Sequence, residues 1–288
     1  MSGLKALKLR IGSVKSTRKI TKAMQMVSVA KLRRAQEATG RLRPYAQALN
    51  HILCSLHNSI KDSAQDVPLF SGTGKDETIL LIVMTADRGL CGGFNSSIIK
   101  FARERVRKLQ EKGKKVVLMT IGRRATDSFR KTHDSVILRK RLLSEVKKVD
   151  FAFAQSIAQD VIDAFQAGKF DRCDIISAEF RSVISQVPQE KTIIPVAITE
   201  EVVGVDYQIE PDATALLTDI VPKNIATQIY AALLDNIAGE HGARMSAMDN
   251  ATRNAGDMIN RLTLQYNRTR QANITKELIE IISGAEAL

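Results

Sequence analysis

The 288-residue sequence predicts an α/β protein: a long antiparallel coiled coil of N- and C-terminal helices with an α/β domain inserted between them. Three observations carry that expectation. Apolar residues near both chain ends recur at alternating three- and four-residue steps, the spacing of a coiled-coil seam. Residues 77–197 alternate strand-like and helix-like runs, as layered α/β domains do. Basic charge is concentrated in the first part of the chain rather than spread along it.

Residues 1–60 read as one helix. Leu4, Leu7, Ile11 and Val14 step by three and four; Ile20, Met24 and Val27 continue the stripe after a shift; Leu42, Tyr45, Leu49, Ile52 and Leu56 complete it. Gly40 weakens the middle, and Pro44 is a candidate kink. Residues 61–75, with Pro68, Gly72 and Gly74, read as a linker that opens the domain, 61–210.

Within the domain, 79–85 is a buried strand and 95–110 an amphipathic helix carrying Ile98, Ala102, Val106 and Leu109. A second strand follows at 116–121 and a short third at 136–138. Residues 142–165 read as a helix through Val146, Val149, Phe153, Ile157, Val161 and Phe165. Two further strands, 173–185 and 191–197, precede a connection over 198–212. The expectation is a Rossmann-like α/β layer structure with a mainly parallel sheet. From 211 to 288 the pattern is helical again. Ile225, Ile229, Leu233 and Ile237 step by four, and Met245, Met248, Thr252, Ala255, Ile259, Leu262 and Tyr266 form a heptad seam. One helix enters the domain and the other leaves it, so the two run antiparallel, with Met24 level with Met248 and Val14 level with Met258. The second helix is the longer, and its end (Leu278, Ile279, Ile281, Ile282, Leu288) projects as a single apolar helix that needs a socket.

Composition narrows the function. The apolar content of 44% excludes a disordered chain. The longest apolar run, 79–84, is far short of the ~20 residues that cross a bilayer, and no secretory leader is expected. Cys54, Cys91 and Cys173 form no disulfide framework, and the four histidines complete no metal-ligand pattern with them.

Residues 1–45 hold 12 Lys+Arg and a single acid, Glu37, whereas 240–288 balance to zero. The basic face is Lys5, Lys8, Arg10, Lys15, Arg18, Lys19, Lys22, Lys31, Arg33 and Arg34. Such a face is either merely solvated or aimed at an acidic partner, and the scarcity of acids removes the usual i,i+4 pairing. A mitochondrial targeting peptide has the same composition, but the helical pattern here runs on too far. A nucleic-acid helix would read similarly, although no aromatic stacking platform accompanies the charges.

The run Asp87-Arg88-Gly89-Leu90-Cys91-Gly92-Gly93-Phe94-Asn95 lies between a strand and a helix, where a phosphate-cradling loop would sit. Its spacing fits neither common phosphate-loop pattern, so a structural turn built on Asp87, Arg88, Gly89, Gly92 and Gly93 is the simpler reading. Cys91 has no histidine nearby in sequence to activate it. An α/β nucleotide-binding enzyme centred on this run is the rival; it gives no role to the two long helices.

Four motifs resemble the γ subunits of F-type ATP synthases of the bacterial type. They are Lys19-Ile20-Thr21-Lys22-Ala23-Met24-Gln25-Met26-Val27; the run 87–95; Ala243-Arg244-Met245-Ser246-Ala247-Met248; and Tyr266-Asn267-Arg268-Thr269-Arg270-Gln271-Ala272 leading into the tail 274–285. The resemblance implies a non-catalytic central rotor shaft that needs no cofactor and no metal. Its coiled coil turns inside a hexamer of α and β subunits, its foot rests on the ring of c subunits beside ε, and proton flow drives the rotation. It further implies β-subunit contact at Lys22, Met24, Lys31, Arg33 and Arg34, and hexamer contact or bearing at Arg244, Arg270, Gln271, Thr275, Leu278, Ile282 and Leu288. Tyr207 and Glu210 match foot positions against the c-ring and ε. Nucleic acid is not an implied partner. The implied location is peripheral, on the cytoplasmic side of a bacterial inner membrane, or alternatively on the matrix side of a mitochondrial one.

Overall fold

The computed structural model describes residues 2–59, 67–133, 136–146, 148–196 and 213–286. Two compact units emerge: Met1–Ser28 with Arg244–Leu288, and Val29–Ala243. Two long helices, α1 (Ser2–Ser59) and α6 (Ala213–Glu286), each contribute one part to either unit. Pro44 and Pro222 both lie inside helix, so neither ends its element.

The first unit consists of helix alone. Along α1 in this unit, the half-buried or buried positions are Leu4, Leu7, Ile11, Val14, Thr21, Met24, Gln25 and Ser28. Of the positions expected after the shift, Met24 is half-buried, whereas Ile20 is 59% and Val27 56% exposed. Apart from the exposed Arg18, the three-four rhythm continues through polar residues. Their groups are satisfied locally, Ser28 Oγ donating to the Met24 carbonyl at 2.8 Å and Thr21 Oγ1 lying 2.7 Å from Thr252 Oγ1. Along α6 the expected seam holds, with Met248, Ala255, Ile259 and Leu262 buried and Met245, Thr252 and Tyr266 half-buried. Gln25 Nε2 donates to Asp249 Oδ1 at 2.9 Å, which sets the antiparallel register close to the expected pairing.

The second unit is a three-layer sandwich around a five-stranded sheet of order β3-β2-β1-β4-β5. In chain order these elements are α2 (Pro68–Ser71), β1 (Thr78–Met84), α3 (Phe94–Glu111), β2 (Lys115–Ile121), α4 (Arg123–His133), β3 (Ile137–Arg141), α5 (Phe151–Gln166), β4 (Arg172–Ser182) and β5 (Ser185–Ile194). β1 pairs in parallel with β2 and β4, β2 pairs in parallel with β3, and β5 closes the far edge antiparallel to β4. Alternate β1 residues face opposite layers, as the pleat requires. Ile79, Leu81 and Val83 meet α3 and α4 through Ile98, Val106 and Phe129. Leu80, Ile82 and Met84 meet α5, α1 and α6 through Ile157, Val161, Leu53, Ile225 and Ile229. Both strand faces are buried, so β1 reads as an unbroken apolar run.

Several sequence boundaries are corrected. No α-helix spans 142–150: a 3-10 turn occupies Leu143–Glu145, and Asp150 caps α5 by accepting from the Phe153 amide at 3.1 Å. Val146 and Val149 nevertheless pack against the core, which explains their helix-like spacing. α4 was not expected, because among its described side chains it buries only Ala125 and Phe129. The last strand begins at Ser185 rather than 191, and the stretch read as one strand to 185 turns after Ser182. Tyr45 is half-exposed, outside the seam that Leu42 and Leu49 follow.

One polar cluster is built into the β4–β5 edge. Asp174 is fully buried; its Oδ1 accepts from Arg172 Nε at 2.9 Å and from Thr192 Oγ1 at 2.7 Å. Its Oδ2 has no hydrogen-bond partner among the described residues, and the Glu190 carboxyl is its charged neighbour. Burial, then the Asp174 carboxylate, push the Glu190 pKa up, against the pull of Arg105, whose Nε lies 2.7 Å from Glu190 Oε1. A raised pKa in the folded state adds stability that is full below the unfolded value, about 4.3, and is lost as pH rises through the folded value. Glu190→Gln is therefore expected to flatten the pH dependence of stability across that window, as read by urea denaturation at stepped pH.

Candidate functional site

The first unit offers an exposed surface on α1. Lys19 and Lys22 are exposed, and Met24 is half-buried against the seam. Lys22 Nζ donates to Gln25 Oε1 at 3.1 Å, which orients its ammonium along the helix. Because the seam passes through Thr21 and Gln25, Ile20, Met26 and Val27 point outward among the basic residues. That apolar element was missed; an unshifted heptad from Val14 would have placed all three outside. On the part of α1 in the second unit, Lys31, Arg33 and Arg34 are exposed, with Arg33 paired to Glu37 at 3.0 Å.

Along α6 the expected contact residues divide. Arg244 is only 8% exposed, so its guanidinium is engaged within the chain. Arg270, Gln271 and Thr275 are exposed, as are Ile274, Leu278, Ile279, Ile281 and Ile282. Thr275 Oγ1 returns its proton to the Gln271 carbonyl at 3.0 Å, and Lys276 pairs with Glu280 at 3.6 Å. From 274 to 285 every described residue is exposed, an apolar helix end with none of the described residues packed against it. Leu288, Tyr207 and Glu210 lie outside the described residues.

The glycine-rich turn is committed to the fold. Asp87 accepts from the Arg123 amide at 2.8 Å and the Ser144 amide at 2.6 Å, tying three loops together. Asn95 Oδ1 accepts from the Ala86 amide at 2.9 Å, and its Nδ2 donates to the Arg88 carbonyl and to Cys91 Sγ. Arg124 lies so close to Gly89 that a side chain there would displace it, and Gly92 adopts a positive φ of 56°. Gly239 of α6 passes Phe94 so closely that a Cβ would sit 2.8 Å from its ring. Cys91 is buried. The Asp87 and Asn95 side chains are thus engaged in holding the turn and its neighbouring loops, as a structural turn requires. Among the described residues no cluster of His, Cys, Asp or Glu could hold a metal ion.

Averaging over the middle of the sequence hid a second basic region. Residues 100–148 hold 17 Lys+Arg against five acids, and Lys100, Arg107, Arg123, Arg130 and Lys131 are exposed on the α3–α4 layer. Counting charge per predicted element would have found it.

A family model described as ATP synthase matches residues 3–288. The chain belongs to the ATP synthase gamma chain family. Gamma chains of Rhizobium etli and Cereibacter sphaeroides are each 55% identical to it over the full length of both partners. The central stalk and c-ring structure of the Tetrahymena thermophila mitochondrial ATP synthase contains a chain 27% identical to it with TM-score 0.62, covering 81% of this chain and 99% of that one. A chain of the Euglena gracilis enzyme, at 21% identity and TM-score 0.66, covers 99% of this chain and 94% of its own and shares the fold. Gamma chains are non-catalytic subunits of ATP synthase, whose catalytic sites lie in the β subunits. The bacterial relatives place the family with the cytoplasmic membrane, while no described helix of this chain is long and apolar enough to cross one.

The turn depends on its neighbour Gly122, at φ +93°, where a Cβ would overlap the Thr85 carbonyl oxygen. Gly122→Ala is expected to destabilise the α/β unit by roughly 2–4 kcal/mol, from backbone strain plus overlap. Urea denaturation measures it directly, and a loss under about 0.5 kcal/mol would contradict the stated geometry.

Proposed function

We propose that the chain is the central rotor shaft of a bacterial ATP synthase, coupling proton-driven rotation of the c-ring to conformational changes at the β-subunit sites. The observation that carries this reading is the unpartnered apolar end of α6 in a chain matched end to end by gamma chains. Exposed apolar surface of that extent calls for a socket. A bearing inside the α/β hexamer supplies one for Leu278, Ile282 and Leu288, with Arg270, Gln271 and Thr275 hydrogen-bonding the surrounding collar. Arg244, being buried, serves there by holding α6 rather than by reaching outward.

The basic face of α1 fits an acidic element of β. Lys22, Met24, Lys31, Arg33 and Arg34 form that contact in this proposal, with Ile20, Met26 and Val27 adding small apolar spots. A shaft sliding past three copies of a partner is suited by contacts that are individually weak when wet. The domain 61–210 acts as the foot, with Tyr207 and Glu210 against the c-ring and ε. The segments 1–60 and 211–288 form the shaft. The assembly sits on the cytoplasmic face of the inner membrane. Coupling requires contact free energy that differs between β states, since equal contact in all states shifts nothing.

An affinity pull-down of the tagged chain from gently solubilised membranes, read by mass spectrometry, tests the reading. Recovery of α, β, ε and ring subunits is expected, and an eluate lacking α and β overturns it. Removing 278–288 is expected to impair assembly while the α/β unit stays folded by circular dichroism. Unchanged complex stability would remove the bearing from the proposal. Lys22→Glu is expected to weaken β contact by less than about tenfold, the range of one exposed ion pair.

A further inference from the structure

A heptad seam of apolar residues does not by itself define one register, because sliding a helix by seven residues brings seam back onto seam. The seam of the helix-pair unit is especially permissive, since Met245, Met248 and Ala255 are flexible or small. Its polar layer is not permissive. Thr21 Oγ1 and Thr252 Oγ1 are 2.7 Å apart across the two helices. Each hydroxyl also has a carbonyl of its own helix within reach, Arg18 at 3.1 Å and Met248 at 2.7 Å. One therefore donates across while the other donates to its backbone. A turn further on, Gln25 Nε2 donates to Asp249 Oδ1 at 2.9 Å. Both ends of that bond are held in turn: Lys22 donates to Gln25 Oε1 at 3.1 Å, and Arg253 Nε to Asp249 Oδ2 at 2.9 Å.

The sequence on either side makes this layer singular. A seven-residue slip of α6 in one direction would bring Gly256 opposite Gln25 and Ile259 opposite Thr21. In the other direction it would bring Gly242 and Met245. Each slip leaves the glutamine and the threonine facing groups that neither donate nor accept from a side chain, so the cross-helix bonds are lost with nothing in exchange. The layer also lies close to Ser28 and Arg244, where both helices leave this unit, so it meets any slide started from that end first.

We propose that Thr21, Gln25, Asp249 and Thr252 form a register clamp that fixes the axial position of α6 against α1, and so which α6 residues stand level with Met24. These are positioning residues. The clamp belongs to the helix pair itself and holds whichever partners the shaft meets.

Spin labels on the full-length chain test it, placed through Ser13→Cys and Asn260→Cys at exposed positions beyond the layer. The three native cysteines are buried. The parent is expected to give one narrow distance by pulsed dipolar spectroscopy. Replacing the layer by Thr21→Val, Gln25→Leu, Asp249→Leu and Thr252→Val keeps the seam apolar and helical. It is expected to broaden that distance or add a second, longer one: the two labels start level, so an axial slip of one heptad, on the order of 10 Å of rise, lengthens their separation by a few ångström. Swapping the pair, Gln25→Asp with Asp249→Gln, rebuilds the bond in the opposite sense and is expected to restore the narrow distance. An apolar layer that retains the parent's helix content and its single distance overturns the clamp. So does a swap that broadens the distance as much as Gln25→Ala alone. The swap and the alanine variant decide the matter even if the fourfold variant loses helix content.

Discussion

Two helices drawn from opposite ends of the chain have to bury each other's apolar stripe, and the helix-pair unit depends on that requirement. It contains no sheet, so each helix has one narrow seam covered and the rest of its circumference in solvent. A seam of one residue in every three or four leaves most positions unconstrained by packing. The surface of α1 can therefore carry Lys19, Lys22, Ile20 and Val27 without cost to the buried stripe. The same helix α6 meets a different constraint in the other unit, where strands and helices surround it. From Leu217 to Ala243 most of its residues are buried, and glycines stand where Phe94 and Phe180 approach.

The α/β unit shows how a fold commonly used for ligands can be given to another task. Its strand order puts a topological switch between β1 and β4, the place where open parallel sheets ordinarily bind small molecules at strand carboxyl ends. Here the turn after β1 is tied by Asp87 to Arg123 and Ser144 and braced by Asn95, and Phe94 is pressed against Gly239 of α6. The switch region docks a helix. Family membership as a non-catalytic subunit and the internal engagement of the turn agree, which is the sense in which fold and function separate.

Where periodicity had many residues to average over, the sequence was explicit: both long helices, the seam of α6, β1, α3 and β2 could be read from spacing alone. It misled where polar side chains stood in apolar places. Thr21, Gln25 and Ser28 continue the α1 seam because hydroxyl and amide groups there find partners at close range, and a pattern scored on hydrophobicity steps aside to Ile20 and Val27. α4 escaped because two buried side chains are enough to dock a short helix on a sheet. β3 was read only as a short stretch at 136–138, and the first half of β5 escaped, because both are polar edge strands. Of the candidate surfaces, the exposed tail and the basic α1 face were legible, since none of the described residues covers them. The burial of Arg244 was not, because an arginine carries no mark of its solvation in sequence.

The charge distribution of the helix pair bears on how a shaft of this kind could act. Residues 1–28 carry seven Lys+Arg and no acid, whereas 244–288 carry six Lys+Arg and five acids. Seams facing each other turn these two surfaces apart, so the pair is basic on one side and nearly neutral on the other. A uniformly charged cylinder interacts equally with every copy of a surrounding acidic partner at every angle, and so can drive none of them. A one-sided charge makes the interaction depend on angle, and it weakens with distance over a screening length of about 8–10 Å. Differential contact free energy is the requirement for coupling rotation to partner state. On the proposed reading, the asymmetry between α1 and α6 meets that requirement electrostatically, while the buried seam keeps the two surfaces at fixed angles to one another.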